Sequence, residues 1–197
     1  MPPSQRFVAV LGIAFAISAC AAAHNSPKIA AIESVTGLAF NSADGSLLKS
    51  GAAGLFRLGP SDSAWQAITT PATSGLTGLV LDPDEPSTLY ISGPGVGVLK
   101  STDAGQHWAG AGSGLPDGEI TALALHSVRR ATLYAWVKDT GLYRTEDAGA
   151  HWNRMPDQGP PDTQVRSLVH SNLPGSMNTG WLYASTPSGA YLSMDCF

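Results

Sequence analysis

Two octapeptides, Ser101-Thr102-Asp103-Ala104-Gly105-Gln106-His107-Trp108 and Thr145-Glu146-Asp147-Ala148-Gly149-Ala150-His151-Trp152, decide the fold. They share a hydroxyl residue, Asp, Ala, Gly, His and Trp at the same offsets, and their tryptophans lie 44 residues apart. In such a segment the Asp carboxylate accepts backbone N–H groups across a tight turn, and Gly supplies a positive φ. The Trp then starts a strand and packs its ring over the turn. The pair predicts a turn that repeats along the chain.

The shared pattern, S/T-x-D-x-G-x-x-W, resembles the Asp-box, or BNR, repeat of sialidases and many other β-propellers. The resemblance implies that each box lies on the outer turn between the third and fourth strands of a blade, away from the central pocket. Repetition also favours a structural role, because an active site needs different residues from different blades. The copies decay at the two ends, and the fourth copy retains Ser and Asp, but Phe197 replaces the Gly. The predicted structural residues are Ser101, Asp103, Gly105, Trp108, Thr145, Asp147, Gly149, Trp152, Ser193 and Asp195.

The repeat extends to the whole mature chain when it is aligned on four glycines, Gly54, Gly97, Gly141 and Gly189. Each glycine is followed by a short strand and preceded by two further apolar strands, and a strand opened by Trp65, Trp108 or Trp152 closes the unit. Four strands in about 44 residues, joined by Gly, Pro and Asp turns, indicate a propeller blade rather than a βαβ unit. We therefore predict an all-β domain over residues 28–197, a β-propeller of about four four-stranded Asp-box blades.

Whether four blades form a four-bladed ring or a partial propeller is left open by the sequence. The fourth unit lacks its closing strand, and residues 28–33 (KIAAIE) are a candidate to supply it and so close, or nearly close, the ring. An open arc would leave an unpaired edge, which favours association with another chain. A homodimer is therefore expected if the propeller is open.

The N-terminal residues predict a targeting segment rather than part of the folded domain. Arg6 precedes an apolar run of 13 residues, 7–19, which is too short to span a bilayer comfortably. The run ends in Ile17-Ser18-Ala19-Cys20, which resembles the lipobox of bacterial lipoproteins. The resemblance implies a signal peptide over residues 1–19, acyl chains on Cys20 and a tether over residues 20–27. An ordinary secretory signal with an incidental cysteine is the alternative.

Residue Ala21 follows the cysteine at the position where Asp would suggest retention in the inner membrane in that family. The resemblance therefore implies a lipid-anchored protein of the cell envelope, at the outer membrane and facing the periplasm. Several acyl chains would hold it there firmly. Cys196 is then the one cysteine left in the folded part, either a free thiol or an intermolecular partner.

The composition agrees with a turn-rich extracytoplasmic protein. Charged residues make up 13% of the chain, and it contains 22 Gly and 14 Pro. The formal net charge is −4, and Arg129-Arg130 is the one basic cluster. This balance predicts that nucleic acid is not a partner.

Four residues are candidates for the mouth of a central channel. Asp117 and Glu119 lie in the loop that leads into an innermost strand, although a solvated turn is the simpler interpretation. His126 and His170 lie 44 residues apart at the ends of innermost strands, which predicts equivalent positions that face the channel together. Histidines on successive blades do not form a tetrahedral metal set, so the sequence predicts no metal and no cofactor.

A sialidase-like activity would need an arginine cluster, a Tyr–Glu nucleophile pair and an Asp acid/base. The five tyrosines all fall at repeat positions, which is typical of packing, and no catalytic residue can be assigned. The leading hypothesis is therefore a non-catalytic binding or scaffold module for an envelope protein or glycan. The alternatives are a sialidase-like exo-glycoside hydrolase and an assembly factor of the envelope or photosystem type.

Overall fold

The computed structural model describes residues 34–156, 159–161, 164–173 and 180–194, and for residues 193 and 194 it describes the backbone alone. Within these ranges every regular element is a β-strand, and no helix is long and apolar enough to cross a membrane. The predicted signal peptide (1–19), Cys20, the tether (20–27) and the segment 28–33 lie outside the described residues. Asp195 and Cys196 lie outside them too.

The first two sheets are four-stranded antiparallel meanders whose strands pair in chain order. The first sheet consists of β1 (Val35–Asn41), β2 (Ser46–Gly51), β3 (Gly54–Leu58) and β4 (Gln66–Ile68). The second consists of β5 (Gly78–Leu81), β6 (Leu89–Gly93), β7 (Gly97–Ser101) and β8 (Ala109–Gly110).

The last two sheets repeat this pattern, and the fourth has three strands among the described residues. The third sheet consists of β9 (Ile120–Leu125), β10 (Leu133–Val137), β11 (Gly141–Thr145) and β12 (Asn153–Arg154). The fourth consists of β13 (Ser167–Ser171), β14 (Trp181–Thr186) and β15 (Gly189–Met194). The predicted fold class is confirmed: the four sheets are the blades of a β-propeller.

The four aligned glycines occupy the hairpin between the second and third strands of each blade. Their φ angles are +110° at Gly54, +62° at Gly97, +110° at Gly141 and +139° at Gly189. A side chain on the α-carbon disfavours such angles, which explains why glycine marks the repeat at this point. The tryptophans stand one residue before the outer strands rather than within them.

Neighbouring blades pack face to face through apolar side chains. Three clusters of buried residues fill the spaces between the blades, and the central strands β6 and β10 are buried along their whole length. The largest cluster, between the second and third blades, contains Tyr90, Val98, Leu123, Leu133 and Val137. Burial of this apolar surface is the main favourable contribution to the stability of the array.

The described blades form an open arc. The innermost strands pack in succession, β1 on β5, β5 on β9 and β9 on β13, but in the described part of the chain no comparable packing joins β13 to β1. The prediction that innermost strands are buried on both faces is therefore wrong for the first blade, where Leu38 is 65% and Phe40 is 62% exposed. Of the two arrangements left open by the sequence, these contacts favour the partial propeller.

Candidate functional site

The repeated turns, Ser101–Trp108 and Thr145–Trp152, have the same hydrogen bonds. In the first, the Ser101 hydroxyl donates to the Asp103 carboxylate at 2.8 Å and accepts the Gly105 N–H at 2.8 Å. The same carboxylate accepts the backbone N–H of His107 at 2.9 Å and contacts its imidazole Nδ1 at 2.6 Å. The second turn repeats each contact within a few tenths of an ångström. The predicted acceptor role of the Asp is confirmed.

These hydrogen bonds stabilise the ionised carboxylates. Donation from the His107 backbone, the His107 ring and the Ser101 hydroxyl lowers the pKa of Asp103 to about 2. In the second turn, donation from the Thr145 hydroxyl and the His151 backbone holds the pKa of Asp147 well below its usual range. A carboxylate with a lowered pKa remains charged at neutral pH and is poorly suited to serve as a general acid.

The tryptophans connect each turn to the preceding blade. The indole N–H of Trp152 donates to the Ala111 carbonyl at 2.7 Å, and the ring is buried. That of Trp108 donates to the Thr69 carbonyl at 3.1 Å and is half-buried. Gly149 lies so close to Ala111 that a Cβ would come within 2.8 Å of its carbonyl oxygen. The turns therefore hold adjacent blades together at the outer rim.

The terminal copies of the turn differ from the central two. In the first blade the Gly59 N–H donates to the Asp62 carboxylate at 2.8 Å, in place of the hydroxyl–carboxylate pair. In the fourth blade Ser193 pairs with Leu182, as Thr145 pairs with Leu133, so its backbone has the expected register. The side chain of Ser193 lies outside the described residues.

The two histidines meet, but at a different place from the one predicted. Their rings stack with centroids 3.8 Å apart, and both are buried between the third and fourth blades rather than facing a channel. They are also not equivalent: His170 pairs with Leu182, as Leu125 pairs with Leu133, whereas His126 lies one residue beyond β9. Successive side chains of a strand point to opposite faces, so this offset of one residue turns the two rings towards each other.

Both imidazoles are held by backbone donors. The Nδ1 of His126 accepts the N–H groups of Val128 and Arg129 at 3.0 Å each, and the Nδ1 of His170 accepts that of Ser127 at 3.1 Å. These bonds fix the loop that follows β9 against the fourth blade. In the described part of the chain, no group of three or more His, Cys, Asp or Glu side chains is placed to hold a metal ion.

The concave face of the arc carries an axial cavity of about 470 Å³ at the end where the innermost strands begin. Its wall is a row of threonines at equivalent positions, Thr36, Thr77 and Thr121. Each hydroxyl donates to a backbone carbonyl of the next blade, that of Leu76 at 2.8 Å, Ile120 at 2.5 Å and Val165 at 2.6 Å, respectively. The threonines therefore bind the blades at the axis as the repeated turns bind them at the rim.

The fourth position of this row is Arg166 instead of threonine, and it lines the axial cavity together with Gln164. Arg166 is exposed, and none of the ion pairs among the described residues includes it. Glu119 also lines the axial cavity and pairs with Lys138 at 3.3 Å. Asp117 is exposed and is not part of the lining. Of the four predicted mouth residues, the structure therefore places Glu119 alone at the axial cavity.

Comparison with known proteins identifies the fold and nothing finer. No family model and no curated protein sequence matches the chain. A GH74 enzyme from Niastella koreensis superposes with a TM-score of 0.62 at 20% identity, and the GH74 xyloglucanase from Xanthomonas campestris with 0.61 at 21%, each over 83% of this chain. The chain is a β-propeller similar to both.

This propeller spans 28% and 29% of the length of those two enzymes. The computationally designed Ika4 protein is nearer in size, since the match covers 84% of this chain and 93% of Ika4, with a TM-score of 0.57 and 14% identity. Identities this low show a shared fold, and function must be argued from the site.

The sequence had contained a signal for the axial cavity. Thr36, Thr77 and Thr121 open three of the four innermost strands, and Arg166 opens the fourth. Threonine is common at the start of strands, so the sequence alone gives no reason to relate the change to Arg166 to a site. Lys138 belongs to a hairpin turn, and nothing in the sequence relates it to the axis.

Proposed function

We propose that this propeller is a non-catalytic binding module of the cell envelope, which takes a protein or glycan ligand at its axial cavity. The observation that carries the proposal is the combination of a concave wall of hydroxyl groups with an arginine that has no ion-pair partner among the described residues. The volume of the axial cavity is within the range of ligand sites. A rigid scaffold that holds polar side chains in place suits recognition.

The charges of the axial cavity favour an acidic ligand. Lys138 and Arg166 contribute two positive charges and Glu119 one negative charge, so the described lining has a net formal charge of +1. An arginine fork binds a carboxylate through two parallel hydrogen bonds. The ligand would therefore present a carboxylate to Arg166, either an acidic sugar or an Asp or Glu side chain.

A glycoside hydrolase is less well supported by the same geometry. Most such enzymes use two carboxyl groups about 5 to 9.5 Å apart. The described lining of the axial cavity contains one, Glu119, and Lys138 neutralises it. The likeness to GH74 enzymes concerns the fold.

The place of action is inferred from the residues that precede the propeller. The lipobox-like sequence at residues 17–20 supports acylation of Cys20 and attachment to the outer membrane, facing the periplasm. The chain should incorporate a palmitate analogue in a bacterial host, and the Cys20→Ser variant should not. Label that persists in this variant would exclude the lipid anchor.

The ligand proposal is tested with the full chain in lipid nanodiscs, titrated with oligogalacturonate, with its neutral methyl ester and with a poly-glutamate peptide. We expect one of the two acidic probes to bind, and Arg166→Ala to weaken that binding at least tenfold. The matched control is Arg129→Ala, another exposed arginine, which lies in the loop after β9. Equal binding by wild type and Arg166→Ala, or binding of neither acidic probe, would contradict the proposal.

A further inference from the structure

The two end faces of the arc correspond to the two surfaces that pack together where neighbouring blades meet inside the arc. On the first blade, the face turned away from the second blade carries Leu38 and Phe40 on β1, and Leu47 and Phe56 on the next two strands. At the equivalent positions of the third blade, Leu123 and Leu133 are 8% and 0% exposed, because the second blade covers them. We call Leu38, Phe40, Leu47 and Phe56 the leading face; Leu38 and Phe40 are exposed, and Leu47 and Phe56 are half-buried.

The opposite end presents the complementary surface. Val169, Tyr183 and Leu192 lie side by side across the three strands of the fourth blade and are 59%, 36% and 53% exposed. The equivalents of Val169 and Tyr183 in the third blade are Ala124 and Tyr134, and both are buried against the fourth blade. We call Val169, Tyr183 and Leu192 the trailing face.

An aromatic pair inside the arc shows how such faces meet. Tyr134, on the trailing side of the third blade, stacks on His170, on the leading side of the fourth, with centroids 5.8 Å apart and an interplanar angle of 2°. The register assigns Tyr183 to the position of Tyr134 and Phe40 to the position of His170. A trailing face brought against a leading face would therefore stack Tyr183 on Phe40, an arrangement that favours aromatic rings.

We propose that the occupant of each end face is a second copy of this chain, docked head to tail, so that two copies close an eight-bladed ring. Each trailing face then covers the other copy's leading face, and the two junctions are identical. Interfaces between unlike patches close into a ring when the rotation per copy allows it, and two-fold rings are the commonest. The apolar character of both faces supports this occupant, since exposed contiguous apolar surface usually marks an interface.

The row of threonines and Arg166 would continue across the junction into the other copy. Each threonine hydroxyl donates to the carbonyl of the residue just before the next position of the row, which is Thr77, Thr121 or Arg166. In the ring, the residue in that place after Arg166 is Val35 of the other copy. Arg166 and Val35 both line the axial cavity, so the second copy would complete its wall.

One charged residue, Lys49, lies among the apolar residues of the leading face. Lys49 occupies a position that holds Ile91 in the second blade and Ala135 in the third, both fully buried. Its ammonium group lies over the rings of Phe56 and Trp65, at 5.0 and 4.9 Å from their centroids. It is thus directed towards the outer strands, and the half of the face near the axis remains apolar.

The experiment measures the mass of the full-length chain by sedimentation equilibrium in density-matched detergent, at a large excess of micelles over protein. We expect twice the mass of one chain for the wild type. Phe40→Lys alters the leading face and Val169→Glu the trailing face, and each alone should give the monomer mass. Val128→Glu is the matched control, because Val128 is 63% exposed but lies on a loop, and it should leave the dimer intact.

Mixing the two variants tests the head-to-tail arrangement. In a mixed ring one junction joins the introduced lysine to the introduced glutamate as opposite charges, and the other joins two wild-type faces, so the mixture should regain the dimer mass. A misfolded variant would not be rescued in this way. A monomeric wild type, a dimer that survives both single variants, or a mixture that stays monomeric would overturn the proposal; the first result would mean that another segment or partner covers the faces.

Discussion

At the level of single residues, the repeated turns show how a short polar motif fixes backbone geometry. One carboxylate and one hydroxyl accept the N–H groups of Gly105 and His107, and the Ala104 N–H donates to the Ser87 carbonyl outside the turn. The predicted positive φ at the glycine is confirmed, with +90° at Gly105 and +93° at Gly149. The preceding residues, Ala104 and Ala148, also have a φ of +58°, which the sequence did not reveal because alanine gives no signal for that region.

The lowered pKa values of Asp103 and Asp147 predict an acid-dependent loss of stability. The folded-state pKa of Asp103, about 2, lies below the unfolded value of about 3.9, so its contribution is complete above pH 4 and disappears as the pH falls through 2. We expect Asp103→Asn to lower the melting temperature at pH 7, and the difference from wild type to shrink at pH 3 and vanish near pH 2. Asp117→Asn, an exposed loop variant, is the control. A difference that is independent of pH would show that the charge is not involved.

At the level of the strand and its turn, the close approach of neighbouring blades determines where glycine is required. Glycine is required at Gly149 for two reasons, its positive φ and the proximity of Ala111 in the preceding blade. Gly95, in a hairpin of the second blade, has a φ of +77° but nothing within 4 Å of the site where a Cβ would lie. The sequence shows both as turn glycines, and the difference arises from the neighbouring blade.

Substituting both glycines separates conformational strain from contact. Gly95→Ala should destabilise the protein by about 1 kcal/mol, the usual cost of a left-handed non-glycine residue. Gly149→Ala should cost at least about 2 kcal/mol more, because the blade that contains Ala111 must move. Urea unfolding of the two variants measures the difference in the free energy of unfolding. Equal losses in the free energy of unfolding would mean that the interface between the two blades accommodates the added methyl group at Gly149 without further destabilisation.

At the level of the whole molecule, equivalent residues differ because their neighbours differ. Leu38 and Leu123 occupy the same place in the first and third blades, yet Leu38 is 65% exposed and Leu123 is 8% exposed. The exposures differ because Leu38 lies at the end of the arc. The second blade covers Leu123, and no described blade covers Leu38. The fold of a repeat array is therefore local, whereas the burial of each unit depends on its place in the row.

Truncating these two leucines measures what a neighbouring blade contributes. Leu123→Ala should cost about 2 to 4 kcal/mol, as expected for a buried leucine. Leu38→Ala should change stability by no more than about 0.5 kcal/mol in dilute solution, where any dimer has dissociated. Chemical unfolding at low concentration compares them, and a large loss for Leu38→Ala under those conditions would mean that this face is covered within the same chain.

The sequence by itself determined the all-β class, the four repeats and the geometry of the turns, because each depends on residues close together in the chain. Only the tertiary structure decided which residues meet: it paired His126 with His170 through a one-residue offset, brought Lys138 and Arg166 to the axial cavity, and placed the described blades in an open arc. The physical reason is that a strand alternates its faces at every residue, so one additional residue between two blades places residues of equal sequence spacing on opposite faces. Spacing in the sequence locates a blade, and packing between blades decides what its residues contact.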